Sequence, residues 1–329
     1  MMNMENLKSR NRVIRAIRGW FDAGGFMEVD TPILQLSPGM EVHLNAFETE
    51  FESYNHTDRR KLYLHTSPEF AMKKLLAESL PRIFQFAHVF RNEVVSKTHY
   101  PEFTMLEWYR AGADYSALMD DCAALLSLAA PRLVYRGREC RTDDGVEKLT
   151  VAEAFDRFCK VDLFSTVGDR DALAALAPQS ANVTAADAWD DVFEKIMMDR
   201  IEPNLGIGRP AVLYEYPAHM AALSRQSPSN PDVAERFELY ACGLELANAF
   251  SELTDAAVQR ARFESDMAEK LRLYGRSYPI DEEFLSAVAR MPPSAGIALG
   301  VDRLVMLSVG AGDIADVLWS RIPGIRLWE

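Results

Sequence analysis

Apolar residues recur at helical spacing at the start of the chain, where Leu7, Val13, Ile17 and Phe21 share one face and two glycines follow. This pattern predicts an amphipathic opening helix. Further helices are predicted at about 115–128, 151–158, 256–273, 281–289 and 302–308. Strands are predicted at 26–29, 47–51, 82–90, 103–109, 211–216, 236–242, 245–250 and 296–300.

The two runs at 82–90 and 103–109 have the clearest strand pattern. In the second run Phe103, Met105, Glu107 and Tyr109 share one face, because side chains alternate along a strand. A carboxylate and a phenol in register with two large apolar groups predict the floor of a pocket. Strands linked by hairpins, with helices inserted between them, predict an antiparallel α+β fold. The chain contains no glycine-rich phosphate-binding motif of the Rossmann or P-loop type.

The amino-acid composition excludes some classes of protein. The 329 residues include 36 basic and 49 acidic side chains, a formal net charge of −13, which argues against binding along a nucleic-acid backbone but not against small polyanions. A hydrophobic content of 48% excludes disorder as the main state. The stretch at about 131–205 is polar, rich in alanine and weakly periodic. We therefore expect one domain over 1–329 with an insertion at 131–205.

The sequence lacks two features that would direct a protein to a membrane or out of the cell. The first residues carry charge throughout and lack the apolar core of an export signal, and no apolar run is long enough to cross a bilayer. Cys122, Cys140, Cys159 and Cys242 form no C-x-x-C pair, so they are predicted to be reduced thiols. We expect a cytoplasmic protein that does not contact membranes.

Charge at the end of a strand marks the first candidate site. Arg91, Asn92 and Glu93 directly follow an apolar run. The rigid fork of an arginine donates two parallel hydrogen bonds and can clamp a phosphate there. The alternative is an ordinary ion pair between Arg91 and Glu93 in a hairpin.

Three glutamates form the second candidate site. Glu238, Glu245 and Glu252 recur every seven residues. This odd spacing puts neighbours on opposite faces of an extended segment, so a turn or bulge must intervene if they converge. Convergent carboxylates suit Mg²⁺, which commonly bridges to substrate phosphates. The alternative is three solvated glutamates in an acidic protein.

Near the C-terminus, Gly300 precedes Asp302 and Arg303 at the start of a predicted helix. The positive end of a helix dipole favours an anion, so a cation in this turn is explained if it faces a bound phosphate. The alternative is Asp302 as a helix cap with Arg303 in solvent.

In this order, the segments resemble the three signature motifs of class II aminoacyl-tRNA synthetases. Gly25-Phe26-x-Glu28-Val29-x-Thr31-Pro32 resembles the end of motif 1, residues 90–93 with the strand at 103 resemble motif 2, and 300–304 resembles motif 3. Within the class the chain is most similar to lysyl-tRNA synthetases at 66–69, 101–109 and 245–252.

Lysyl-tRNA synthetases place an anticodon-binding OB domain ahead of the catalytic domain, and we expect none here because the sequence begins within a motif 1 helix. The chain thereby resembles the truncated paralogs that attach (R)-β-lysine to a lysine of elongation factor P and dimerise through motif 1. Those paralogs also carry alanine at the position of Ala298, where the synthetases have glycine. The resemblance implies a homodimer with elongation factor P as acceptor, and we do not expect tRNA to bind.

The resemblance also implies roles for individual residues in an ATP-dependent ligase. Arg91 and Arg303 are the expected catalytic residues, on the α- and γ-phosphates, and Phe103 stacks on adenine. The expected ATP-binding residues are Arg91, Asn92, Glu93, His99, Tyr100, Phe103, Glu245, Leu246, Gly300 and Arg303. The expected residues for a lysine-type substrate are Ser67, Pro68, Glu69, Glu107, Tyr109, Asn248, Glu252 and Ala298. Glu238 and Glu245 are expected to hold Mg²⁺.

Two other functions stay open. One is a minimal lysyl-tRNA synthetase-like enzyme that charges tRNA or another small acceptor, and the other is a catalytically silent regulator. Both motif arginines and all the pocket glutamates are present, which disfavours the silent form. The basic residues Lys97, Arg59, Arg60 and Lys61 either receive an acidic acceptor protein or are solvated loop charges.

Overall fold

The computed structural model describes residues 3–93, 95–221 and 223–325. The helices are α1 (Met4–Ala23), α2 (Glu69–Ala77), α3 (Tyr115–Ala129), α4 (Val151–Cys159), α5 (Arg170–Leu176), α6 (Trp189–Ile196), α7 (Ala256–Tyr274), α8 (Glu282–Val288) and α9 (Val301–Ser308). The strands are β1 (Met27–Glu28), β2 (Leu34–Gln35), β3 (Glu48–Glu52), β4 (Arg59–Leu64), β5 (Arg82–Phe90), β6 (Glu102–Ala111), β7 (Arg132–Tyr135), β8 (Arg138–Arg141), β9 (Glu147–Thr150), β10 (Ala211–Pro217), β11 (Val233–Ala241), β12 (Leu244–Ser251) and β13 (Ser294–Gly300).

An eight-stranded sheet in the order β1-β5-β6-β13-β12-β11-β10-β9 carries the fold. From β5 to β10 every pairing is antiparallel, whereas β1 pairs with β5 and β9 pairs with β10 in parallel. The predicted α+β fold is confirmed, and the parallel edge strands make the sheet mixed. The sequence patterns do not predict β9, because its four residues include two charges and are held extended by pairing with β10.

One face of the sheet packs against α1, α3 and α9. The predicted opening helix is confirmed as α1, and Asn3 caps it by accepting hydrogen bonds from the backbone N–H groups of residues 5 and 6. Phe21 of α1 stacks on Phe84 of β5, with ring centroids 4.5 Å apart, and Trp108 of β6 joins the same hydrophobic cluster. Since side chains alternate along β6, Glu107 and Tyr109 point to the opposite face.

The middle of the chain adds a second hydrophobic cluster beside β10. Phe155 of α4 stacks on Phe193 of α6 with ring centroids 5.1 Å apart, and Trp189 stacks on Phe193 at 5.6 Å. Residues 132–141 form the β7–β8 hairpin. A stretch that is weakly periodic in sequence is therefore ordered by aromatic packing.

A buried ion pair ties α1 to the first turn of α9. Arg10 pairs with Asp302, whose Oδ2 also accepts a hydrogen bond of 2.6 Å from the backbone N–H of Thr104. Arg10 donates in turn to the Thr104 hydroxyl at 2.8 Å. Asp302 therefore joins α1, β6 and α9. The sequence alternative in which Asp302 caps α9 is wrong. This anchor fixes the position of the neighbouring Arg303.

All four cysteines are free, as predicted, and three of them are buried among apolar side chains. Over the described ranges, the helices fall short of the length and apolar character that a membrane span requires.

Candidate active site

A cavity of about 410 Å³ opens on the face of the sheet that α1 and α3 leave free. It gathers most of the residues that the sequence analysis singled out. Those lining it are Ser67, Glu69, Arg91, Glu93, His99, Tyr100, Phe103, Glu107, Tyr109, Glu238, Glu245, Leu246, Asn248, Ala298, Gly300 and Arg303. The predicted pocket floor formed by β6 is confirmed.

Three predicted site residues do not line this cavity. Pro68 precedes the first turn of α2. Asn92 is exposed, and its backbone N–H donates to the carbonyl of Asn45 at 2.7 Å. Glu252 is buried in the layer of side chains next to the cavity wall, where it contacts Lys73.

Glu107 lies at the buried end of the cavity. Its carboxylate accepts hydrogen bonds from the Ser67 hydroxyl at 2.7 Å and from the Tyr109 hydroxyl at 2.5 Å. Burial, reinforced by the nearby charge of Glu69, raises the pKa of Glu107 to about 8. The carboxyl therefore keeps its proton at neutral pH in the free protein, and a cation placed beside it would favour the ionised form.

Lys73 of α2 lies between two of the predicted substrate-binding glutamates, and the sequence analysis missed it. Its ammonium pairs with Glu69, one helical turn away, and lies 2.5 Å from Glu252 Oε2. Burial opposes the charge on Lys73, but Glu252 and Glu69 together raise its pKa above the ordinary value. Burial raises the pKa of Glu252 to about 7, against the opposing pull of Lys73. The i,i+4 spacing of Glu69 and Lys73 was the available signal.

Gly296 of β13 lies between Tyr109 and Glu252. A Cβ atom at this position would collide with the Tyr109 ring and with the Glu252 carboxylate. Any side chain here would therefore displace the polar groups at the buried end of the cavity. A glycine inside an apolar strand was a usable signal for such a close approach.

Arg91 lines the other end of the cavity with its guanidinium unpaired. Its Cζ lies 5.3 Å from the centroid of the Phe103 ring, and its buried Nε has no hydrogen-bond partner. No carboxylate of the described residues pairs with it, so the alternative of an ion pair with Glu93 is wrong for this structure. An unsatisfied buried donor facing a cavity requires a partner, and a phosphate or carboxylate oxygen fits it.

Arg303 is held in place at the start of α9. It donates to the carbonyl of Glu245 at 2.8 Å and to the carbonyl of Thr98 at 3.2 Å, and its third nitrogen lies 2.6 Å from His99 Nε2. Burial and the charges of Arg303 and Arg91 lower the pKa of His99 to about 4. His99 is therefore neutral, with Nε2 accepting from Arg303 and the Nδ1 proton donated to Ser96 at 2.8 Å. The alternative of a solvated Arg303 is wrong.

Glu238 is held rigidly on β11. Its carboxylate accepts hydrogen bonds of 2.6 Å from the hydroxyls of Tyr216 and Tyr240 and one of 2.7 Å from Arg236. The pairing of β11 with β12 shifts register between Leu239 and Tyr240, which is the irregularity that the glutamate spacing predicted. The alternative of solvated glutamates is therefore wrong for Glu238.

Negative charge accumulates around Glu238. Glu245 lines the cavity with it, and Glu194 and Glu202 reach the same place from the middle segment, without any signal in the sequence. Burial and the charge of Glu238 raise the pKa of Glu245. The same causes raise the pKa of Glu194 to about 7 and the pKa of Glu202 to about 8.

This donor set fits a divalent cation in its chemistry, because hard carboxylate oxygens with excess negative charge are what Mg²⁺ binds. Across residues 3–93, 95–221 and 223–325, no three His, Cys, Asp or Glu side chains stand ready to hold a metal. Mg²⁺ usually takes one or two carboxylates and completes its shell with substrate phosphates and water. Glu238 and Glu245 fit that division of ligands.

Comparison with known proteins places the chain in a family. The family model described as class II tRNA synthetases (D, K and N) matches residues 2–319. The chain is 38% identical over 320 residues to the elongation factor P–(R)-β-lysine ligase of Proteus mirabilis (strain HI4320), covering 96% of this chain and 94% of the relative. It is 39% identical over 317 residues to the relatives of the same name from Vibrio cholerae serotype O1 and Klebsiella pneumoniae (strain 342), covering 96% and 95% of this chain and 94% of each relative.

The family match spans nearly the whole chain, and the cavity lies on the strands that carry the motif residues. This chain belongs to the class II tRNA synthetase family of the D, K and N type.

Proposed function

We propose that this protein is an ATP-dependent ligase that activates (R)-β-lysine or lysine as an aminoacyl-adenylate and transfers it to the ε-amino group of a lysine on elongation factor P. The observation that carries the proposal is one cavity with an unpaired arginine, Arg91, at one end and the buried carboxylate of Glu107 at the other. The name shared by the relatives supports the choice of amino acid and acceptor.

The charge at the buried end supports a substrate with two ammonium groups. When all are ionised, the carboxylates of Glu69, Glu107 and Glu252 face the single ammonium of Lys73, which leaves two negative charges. A lysine-type substrate brings two ammonium groups there and one carboxylate toward Arg91. A neutral or anionic amino acid would leave the carboxylates without compensation, at a cost in binding.

The proposed reaction has two steps. In the first, a carboxylate oxygen of the amino acid attacks the α-phosphorus of ATP, and the bond to pyrophosphate breaks. In the second, the acceptor amine attacks the carbonyl carbon, the amide bond forms, AMP leaves with its electron pair and the amine gives up a proton. Arg91 and Arg303 place positive charge on the phosphates, so catalysis is chiefly positioning and charge stabilisation.

ATP and Mg²⁺ belong to this proposal. When bound with ATP, Mg²⁺ neutralises part of the phosphate charge, and Glu238 and Glu245 are the residues that would hold it. Phe103 would stack on the adenine, and Leu246 would contact the base through its backbone. Tyr100 stays in the proposed ATP-binding set: its hydroxyl accepts from the backbone N–H of Ile322 at 2.7 Å, which leaves the O–H proton to donate.

We also propose a cytoplasmic homodimer in which 1–329 acts as one catalytic domain with 131–205 as an insertion. Motif 1 supports the dimer, since the apolar side chains of Met27, Ile33, Leu34 and Leu36 around it are exposed. Light scattering of the purified protein at micromolar concentration should give twice the chain mass of 37.1 kDa.

The decisive experiment incubates the protein with ATP, Mg²⁺, either lysine isomer and elongation factor P from the same organism. We expect ATP–pyrophosphate exchange that depends on the amino acid, and a gain of one lysyl unit in the intact mass of the acceptor. Labelled tRNA with an unchanged acceptor mass would establish the tRNA-charging alternative. Absence of exchange with both isomers would establish the silent regulator.

A further inference from the structure

A second cavity, of about 610 Å³, lies across the loop that carries His99, and its charge is opposite to that of the active site. Residues 96–98 line it on the side of that loop, and the β7–β8 hairpin contributes Arg136 and Arg138. We call this cavity the basic cleft and define it by Lys97, Arg136 and Arg138. All three side chains are exposed to solvent.

The three cations of the basic cleft have no acidic partner. None forms an ion pair within the described residues, and the described lining contains no Asp or Glu. The whole chain carries a net charge of −13, and the adjoining active site is rich in glutamates. Three uncompensated cations converging on one cavity of such a protein create a local field for an anionic ligand.

Local geometry holds the two arginines of the basic cleft in place. Arg136 and Gly137 have φ values of 49° and 79°, which makes the β7–β8 connection a two-residue turn of the mirror-image type. The Arg136 guanidinium lies 5.1 Å above the ring of Tyr135. Arg138 occupies the space that a Cβ atom on Gly243 would fill, so that glycine leaves room for the charge. The arginine side of the basic cleft is therefore preformed.

The basic cleft and the active site share one loop. The carbonyl of Thr98 accepts a hydrogen bond from Arg303, and the carbonyl of Lys97 accepts one of 2.8 Å from the backbone N–H of Ile314. His99 lines the active site while its neighbours line the basic cleft. A ligand bound in the basic cleft thus lies one loop away from the phosphate-binding arginine.

The other basic residues considered for docking differ from the cations of the basic cleft, because each has an acidic partner. On β4, Arg59 pairs with Glu52 at 2.6 Å, and Lys61 pairs with Glu48 at 3.0 Å. Arg60 pairs with Asp58 at 3.0 Å. Their charge is already compensated within the strand pair, so they give an anionic partner little to bind. Of the four candidates, only Lys97 lies in the basic cleft.

We propose that the basic cleft docks an acidic segment of the acceptor protein, next to the lysine that receives the amino acid. This inference rests on the proposed function. A short acidic segment suits three clustered cations, since its carboxylates need no long track of positive charge. A duplex nucleic acid carries one charge per about 1.7 Å and would run onto the acidic remainder of the surface. The active site binds the acceptor amine, and the basic cleft sets its orientation.

The test compares two triple variants with the same change in net charge. The first is Lys97→Gln/Arg136→Gln/Arg138→Gln, and the matched control is Arg59→Gln/Arg60→Gln/Lys61→Gln. For each, ATP–pyrophosphate exchange reports the first step, and the initial rate of acceptor mass gain at varied acceptor concentration reports the second.

We expect exchange to stay within about twofold of the wild type in both variants, because neither set of residues lines the active-site cavity. The KM for the acceptor should rise about tenfold or more in the first variant only. Raising the salt from about 50 to about 300 mM should raise the wild-type KM and leave that of the first variant nearly unchanged, since screening removes the same attraction.

An acceptor KM in the first variant equal to that of the control, with exchange intact, overturns the docking proposal and leaves the proposed function standing. A wild-type protein without exchange or acceptor labelling would instead overturn the proposed function. Loss of tRNA charging in the first variant alone would assign the basic cleft to nucleic acid. If the first variant loses exchange, the double variant Lys97→Gln/Arg136→Gln takes its place, and its KM for the acceptor is compared with that of the control.

Discussion

Lys73 Nζ lies 2.5 Å from Glu252 Oε2, and both side chains are almost completely withdrawn from solvent. The same ammonium pairs with Glu69. An internal cation thus holds two carboxylates at the buried end of the active site, and Glu107 is left without a cationic partner of its own. The pair therefore links the stability of the fold to the charge that the substrate meets.

Replacement of Lys73 by methionine should destabilise the protein by about 3–5 kcal/mol, because two buried carboxylates lose their counter-ion. Chemical unfolding measures this. Lys74→Met is the matched control, since Lys74 pairs with Asp281 and Glu283 at a partly exposed site and should change stability by less than about 1 kcal/mol. Adding Glu252→Gln to Lys73→Met should restore part of the loss. Equal effects of the two lysine variants would contradict the role given to Lys73.

Binding of the amino acid should release protons between pH 6 and 8. The pKa of Glu107 is raised to about 8, so below that pH its carboxyl is protonated in the free protein. A substrate ammonium favours the ionised form, so binding expels the proton and affinity rises as the pH rises toward 8. Calorimetry at pH 7 in two buffers of different ionisation enthalpy measures the release. Glu107→Gln should lose this contribution, and unchanged proton release in that variant would refute the assignment.

Substitution of Gly296 by alanine should impair the buried end of the cavity. The added methyl group would collide with Tyr109 and Glu252, at a cost of about 1–3 kcal/mol in stability. The KM for the amino acid should rise while the KM for ATP changes little, which steady-state exchange assays separate. Gly300→Ala, on the same strand, is the control for stability, since its nearest neighbour would lie at an ordinary 3.8 Å. Full activity and stability of Gly296→Ala would contradict this prediction and show that Tyr109 and Glu252 can move away from the added methyl group.

Arg91→Met should lower the rate of ATP–pyrophosphate exchange by about 10²–10³ and leave the free energy of unfolding nearly unchanged. The reason is that the buried Nε of Arg91 has no hydrogen-bond partner, and its contact with the Phe103 ring is largely kept by the apolar methionine side chain. Arg82→Met, at the other end of the same strand, should leave exchange unaffected, because Arg82 donates only to the carbonyl of Gly24. A large loss of stability in Arg91→Met would indicate a structural role instead.

The features that the sequence did not predict have one common cause. Periodicity describes a segment in isolation, but β9 is extended only because it pairs with β10. Glu194 and Glu202 lie in a stretch without any motif, and they reach the cavity only because α6 packs against β10 through Phe193. The odd spacing of Glu238 and Glu245, by contrast, correctly demanded an irregularity, which the register shift after Leu239 supplies.

The sequence by itself determined the α+β class and the main strands and helices, and its resemblance to class II synthetases singled out the three motifs and sixteen of the residues that line one cavity. Alternation, helical spacing and local motifs carry that information along the chain. Only the tertiary structure decided which charges are compensated. It paired Lys73 with Glu69 and Glu252, left Arg91 open, and separated the neutralised cations of β4 from the free cations of the basic cleft. The energy of a charge depends on its distance to other charges and on its burial, and folding sets both.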